Sequence, residues 1–151
     1  MLKRLLKEFE YYLRITKGLR ANSISSYMTD LNEYAAFLVK NYAIRDANTI
    51  SKQHIRNFIA RLKRKNNTSS SISRKVSAIR SFHKYLLLEK LVDSNVSLGI
   101  SLPKKEQKLP QILSVEEVDA LMVAADGIEP LELRNKAMLE LLYGSGLRIS
   151  E

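Results

Sequence analysis

No cysteine occurs in the 151 residues, which excludes disulfide scaffolds and thiolate metal sites and makes a reducing compartment the natural setting. Long apolar runs are missing too, because no stretch approaches the roughly 18 uninterrupted apolar residues that read as a membrane-spanning helix. The opening MLKRLLK begins like a signal peptide, but Lys7, Glu8 and Glu10 interrupt it and no small-residue cleavage site follows. Strand-like alternation and internal repeats are absent as well. What is left is a cytoplasmic, all-α protein, with 45% apolar residues to build a core.

Acidic residues are scarce in one part of the chain only. Residues 1–102 carry 19 Lys/Arg against 7 Asp/Glu, whereas residues 103–151 carry 6 against 9. A polyanion, above all double-stranded DNA, fits the basic part. Charge alone fits a basic bundle with solvated lysines equally well.

Apolar spacing predicts four helices in the basic part. The first covers residues 2–17 through Leu2, Leu5, Leu6, Phe9 and Leu13, and Gly18 ends it. The second runs over 24–41, with Ile24, Tyr27, Met28, Leu31, Ala35 and Leu38 inward and Asp30 and Glu33 on its outer middle. Ser51 is placed to cap a third helix, 52–65, with Ile55, Phe58, Ile59 and Leu62 inward. The fourth, 72–90, puts Ile72, Val76, Ile79, Phe82, His83 and Leu86 on one face. Its serine-rich approach, 66–71, reads as a capping loop.

Candidate DNA contacts come from three of these helices. Ser23 stands at the first turn of the second, and Lys52, Arg56 and Lys63 form a stripe on the third. Along the outside of the fourth lie Arg74, Ser77, Ser81 and Lys84, flanked by Ser73 and Arg80, with Ser71 and Lys75 completing the set. Short hydroxyl side chains beside arginine and lysine allow close approach to a duplex, while a solvated helix more often carries Glu–Lys pairs. His54 and His83 read as capping or structural histidines, and no His/Asp/Glu cluster has metal-ligand spacing.

A charged stretch bracketed by Pro103 and Pro110 divides the chain, giving a helical domain at 1–102, a linker at 103–111 and a further segment at 112–151. Beyond it, Ser114 and Glu117 form a capping box that starts a short helix through Ala125. Asp126, Gly127 and Pro130 interrupt it, and an apolar helix over 131–143 is expected to be buried. It should end at Gly144-Ser145-Gly146, with Arg148 following at once.

Three blocks at the C-terminal side, KLPQILSVEEV at 108–118, LRNKA at 133–137 and LLYGSGLRISE at 141–151, resemble in order and spacing the opening of the catalytic domain of tyrosine recombinases, the phage integrase family, particularly the Xer type. Gly18, Leu19, Ser23, Ile24, Tyr27 and Leu31, with SISRKVSAIRSF at 71–82, are similar to that family's core-binding domain. The resemblance implies a four-helix SAM-like domain, a linker, and the first helices of a truncated catalytic domain. It also implies site-specific DNA strand exchange through a covalent phosphotyrosine without metal or nucleotide cofactor, and a tetramer, or a paralogous recombinase as partner, on the DNA. Arg148 matches the first catalytic arginine of the family, and Glu151 would support it or pair along the helix. The remaining catalytic lysine, the His-x-x-Arg block and the nucleophilic tyrosine are expected beyond residue 151, so the chain alone is expected to be inactive in recombination. A non-catalytic DNA-binding regulator of the same architecture is the alternative.

Overall fold

The computed structural model describes residues 2–101 and 112–149, and every regular element among them is helical. The expected linker, 103–111, and Glu151 lie outside the described residues. The chain divides into two compact units, 1–106 and 107–151.

The first unit is built from α1 (Leu2–Ile15), α2 (Ala21–Tyr42), α3 (Lys52–Arg64) and α4 (Ser69–Leu88). All five apolar positions expected of α1 are buried, at the i, i+3, i+4, i+7 spacing that gathers one stripe of a helix onto the core. Gly18 ends it at φ +59, a left-handed conformation that glycine adopts without penalty, and the Leu19 N–H closes back on the Leu13 carbonyl at 3.1 Å. At the other end the Leu2 N–H donates to the Arg45 carbonyl, tying α1 to the loop after α2.

α2 departs from the expected face. Ile24, Leu31, Ala35 and Leu38 are buried as the spacing requires, but so are Tyr34, Phe37 and Asp30. The helix packs against α1, α3 and α4, and covering a helix from several sides widens its buried face beyond one stripe. Asp30, expected outside, is therefore inside at 0% exposure.

Ser51 caps α3 through a box closed by His54, whose Nδ1 accepts from the Ser51 N–H at 3.0 Å. α4 starts three residues earlier than the apolar spacing indicated, because Thr68, not a serine, is its cap: Thr68 Oγ1 accepts from the Ser71 N–H at 3.2 Å. The core is aromatic at its centre, with Phe9 edge-on to Phe82 at 5.4 Å and Phe58 against both Tyr34 and Phe37 at 5.2 Å. After α4 the chain is irregular yet packed, since Val92, Ser97 and Ile100 are buried.

The second unit holds α5 (Val115–Ala124) and α6 (Pro130–Ser145). The Ser114–Glu117 capping box is formed, with the Ser114 N–H donating to Glu117 at 2.8 Å and the Glu117 N–H donating to Ser114 Oγ at 3.2 Å. Pro130 occupies the first turn of α6, where its missing N–H is no loss. α6 ends within the Gly144-Ser145-Gly146 break as expected, with Gly146 taking the left-handed cap at φ 62. Its expected burial is corrected: neither α5 nor α6 contains a buried residue, and Leu133, Met138 and Leu141 are each at least half exposed. Two helices by themselves cannot enclose an apolar face on all sides.

Candidate nucleic-acid interface

Arg74, Ser77, Ser81 and Lys84 follow one another at steps of three and four along α4, which places them on one ridge. Arg74, Ser77 and Lys84 are exposed and Ser81 is half-buried. No acidic residue occurs between 69 and 88, so no carboxylate of this helix competes with an incoming polyanion. At the upper end of the ridge a hollow of about 270 Å³ opens between α2 and α4, lined by Ser23, Ser26, Tyr27, Asp30, Arg74 and Ser77. Three expected contacts, Ser23, Arg74 and Ser77, are thereby brought together.

Asp30, buried in the lining of the hollow, is the centre of an ion network. Asp30 Oδ2 lies 2.6 Å from Arg74 Nη1, and Asp30 Oδ1 lies 3.0 Å from Lys75 Nζ. Lys75 Nζ also reaches Glu33 at 2.7 Å. Burial alone would lower the pKa of the Lys75 ammonium, but the hydrogen bonds to Glu33 and Asp30 outweigh it and hold the pKa above the ordinary lysine value. The network stitches α2 to α4 across more than forty residues of sequence.

Lys75 and Ser73 therefore leave the set of expected contacts. The Lys75 side chain is 10% exposed and spends its donors on Asp30 and Glu33. Ser73 is buried at 4%, its Oγ without a hydrogen-bond partner. Helical spacing put Ser73 on the flank of the outer face, and the pairing of Lys75 with Asp30 and Glu33 shows that α2 approaches on that side of the helix. Ser71 is exposed only in part and takes part in the α4 cap, accepting a hydrogen bond from Thr68 Oγ1.

Lys52, Arg56 and Arg80 converge elsewhere, around the end of the first unit. Arg80 donates to the Ile100 carbonyl, and Arg56 lines a shallow hollow with Ile59, Gly99, Ile100 and Ser101. The Lys52 ammonium lies so near Gly99 that a Cβ there would meet it at 3.1 Å. Arg80 is thus an anchor for the irregular segment, and Arg56 and Lys63 remain exposed on α3.

Both histidines have structural surroundings. His54 completes the α3 cap and packs against the Tyr42 ring at 4.5 Å. His83 is buried within 3.4 Å of the Tyr34 hydroxyl, and burial lowers its pKa to about 4 while raising that of Tyr34. Among the described residues no group of three or more His, Cys, Asp or Glu could hold a metal ion, and no helix is long and apolar enough to cross a membrane. Arg148 stands exposed two residues beyond the Gly146 cap of α6.

Residues 6–90, more than half of the chain and nearly the whole four-helix unit, match the family described as phage integrase, N-terminal SAM-like domain. The chain belongs to the phage integrase family of tyrosine recombinases. Its relatives include the tyrosine recombinase XerD of Halalkalibacterium halodurans, 42% identical over 146 residues, which cover 97% of this chain and 49% of the relative. The XerD of Oceanobacillus iheyensis is 42% identical over all 151 residues and half of its own length. The tyrosine recombinase XerC of Natranaerobius thermophilus is 40% identical over 146 residues, 97% of this chain and 48% of the relative. The chain thus spans about half the length of the curated relatives it matches. The four-helix unit is the SAM-like core-binding domain of this family, and α1–α4 are the helices that carry it.

Asp30 is what reading the sequence missed. An available signal was its place one residue before a core leucine, on a helix facing another that carries an adjacent Arg–Lys pair and no acid.

Proposed function

We propose that the chain is the DNA-engaging N-terminal region of a site-specific tyrosine recombinase acting in the cytoplasm. The observation that carries this reading is the α4 ridge Arg74–Ser77–Ser81–Lys84, cationic, rich in short hydroxyls and without a carboxylate on its helix. Helices with this character lay their outer face in the major groove, while cations on neighbouring elements, here Arg56 and Lys63 of α3, neutralise phosphates along the backbone. Ser23 adds a hydroxyl from the first turn of α2.

In strand exchange the scissile phosphate gains charge on its non-bridging oxygens when a tyrosine hydroxyl attacks phosphorus and the 5′ oxygen leaves. Arg148 is the residue we assign to that charge: its planar fork offers two parallel N–H donors to the two oxygens and stays protonated at every relevant pH. Glu151 supports it. No metal or nucleotide enters the reaction, and the DNA-bound assembly is a tetramer of this protein or of this protein with a paralogous recombinase.

Anisotropy of a labelled duplex tests the DNA reading. The chain should bind with a steep loss of affinity as salt rises, and Lys84→Ala should lower that slope by about one while changing stability by less than about 0.5 kcal/mol. Salt-independent binding, or none at about 50 mM salt, refutes the reading. For Arg148 the assay belongs in a longer recombinase containing this chain, where Arg148→Ala should cut covalent DNA adduct formation by about a hundredfold or more and leave duplex affinity in place. Undiminished adduct formation would remove Arg148 from the reaction.

A further inference from the structure

The two cations on Asp30 are used differently. Lys75 turns its ammonium inward, to Asp30 and Glu33, and its side chain is 10% exposed. Arg74 gives Nη1 to Asp30 at 2.6 Å, yet 51% of its side chain stays in solvent at the hollow beside Ser23. The same Nη1 lies 3.5 Å from the Ser26 carbonyl, a second acceptor on α2. A guanidinium carries five N–H donors in a rigid plane, so fixing one edge on a buried acid also fixes the direction of the edge left over. An arginine without such an anchor samples many rotamers and loses that freedom on binding. Ser77, on the wall of the hollow, already donates its hydroxyl to the Ser73 carbonyl at 2.9 Å, and the other donors lining the hollow are Arg74 and the hydroxyls of Ser23, Ser26 and Tyr27, of which Ser23 lies nearest the start of α2.

We propose, on the strength of the DNA-binding reading above, that Asp30 is a positioning residue. It holds Arg74 so that the remaining N–H donors, together with the Ser23 hydroxyl, meet one backbone phosphate of the duplex. The buried carboxylate contributes to DNA affinity without touching DNA.

Charge gives this assignment a sign that bulk electrostatics does not share. Asp30 is an acid within a basic surface, so removing its charge should tighten the binding of a polyanion if Coulomb attraction were all. Positioning demands the reverse, and demands that the loss pass through Arg74.

The experiment uses the whole 151-residue chain and a fluorescein-labelled random duplex, since phosphate contacts are independent of base sequence. Losing a hydrogen bond to a charged group should weaken binding by about tenfold or somewhat more, so Asp30→Asn and Arg74→Ala are each expected to raise Kd by about that factor. The double variant should bind no worse than Arg74→Ala alone. Circular dichroism melts establish that each variant is folded at the assay temperature. Should Asp30→Asn not fold, Arg74→Lys decides, because it keeps the charge and loses the fork: Kd close to that of Arg74→Ala is expected, and wild-type affinity overturns the assignment. Asp30→Asn binding as tightly as wild type or tighter, beside a weakened Arg74→Ala, overturns positioning and leaves the DNA reading intact. Additive losses in the double variant overturn it as well. Absence of duplex binding by the wild-type chain removes both.

Discussion

Helices α4 and α6 both start at well-formed caps and both carry apolar side chains at helical spacing, yet α4 buries ten residues and α6 none. α4 lies in a unit of four helices and packs against both α2 and α3, whereas α6 has α5 as its helical neighbour. A sequence pattern tells a helix which stripe to bury, and the neighbours decide whether burial happens. The same contrast reaches polar chemistry: Asp30, Lys75 and His83 have environments made by enclosure, while Lys136 and Asp126 in the second unit pair at 2.7 Å in the open, where solvent screens such a pair.

Several changes would break or sharpen that contrast. The largest effect is expected at Phe58, fully buried between Tyr34 and Phe37: Phe58→Ala should destabilise the first unit by about 3–5 kcal/mol in urea unfolding. A loss below about 1 kcal/mol would mean that the core is less closely packed than its burial implies.

His83 gives the first unit a pH dependence that the second should lack. Its folded pKa near 4 lies below the ordinary 6.5, so between these values the unfolded chain takes up a proton that the folded chain refuses. Stability should be unaffected by His83 above pH 6.5 and should fall as pH drops from 6.5 towards 4, by about 3 kcal/mol over the interval. The difference between wild type and His83→Leu isolates this part from the carboxylates, and parallel profiles would refute it.

A smaller change is expected at the cap of α5. Ser114→Ala removes one partner of the capping box and should cost that helix about 1 kcal/mol, read as faster amide exchange at 115–118 with the first unit unchanged. Smallest of all should be Leu141→Ala, at 60% exposure in α6, with less than about 0.5 kcal/mol in the 151-residue chain. An effect there as large as at Phe58 would abolish the distinction between the units.

Much of the four-helix unit could be read directly, because its signals are periodic and local. The five apolar positions of α1 and the six inward positions of α4 named from spacing, His83 among them, are all buried, and the Ser114–Glu117 and Ser51 caps lie where residue type placed them. Thr68 lies inside the stretch 66–71 read as a capping loop, but residue type did not single it out, because Ser69, Ser70 and Ser71 offer the same cap chemistry one to three residues later. Asp30, Ser73 and Lys75 were misplaced for a deeper reason: which flank of a helix is covered depends on a partner forty-odd residues away, and periodicity carries no record of it. The exposed ridge of α4 was legible because it is the face left over once the core stripe is buried, although Arg74 at one end of it is engaged by Asp30 of α2. The buried fate expected of α6 failed for the converse reason, as apolar spacing states a capacity for burial only.

The Asp30–Arg74–Lys75 network also bears on how this sequence can change over generations. Losing Asp30 leaves the mostly buried Lys75 with Glu33 alone and takes the anchor from Arg74, and losing either cation leaves the buried Asp30 with a single partner, so each loss weakens what the others contribute. The trio should therefore be inherited as a block. Among relatives of this chain, the acid on the second helix and the cationic pair on the fourth should appear and disappear together, so that a single aligned column would underestimate what holds them in place.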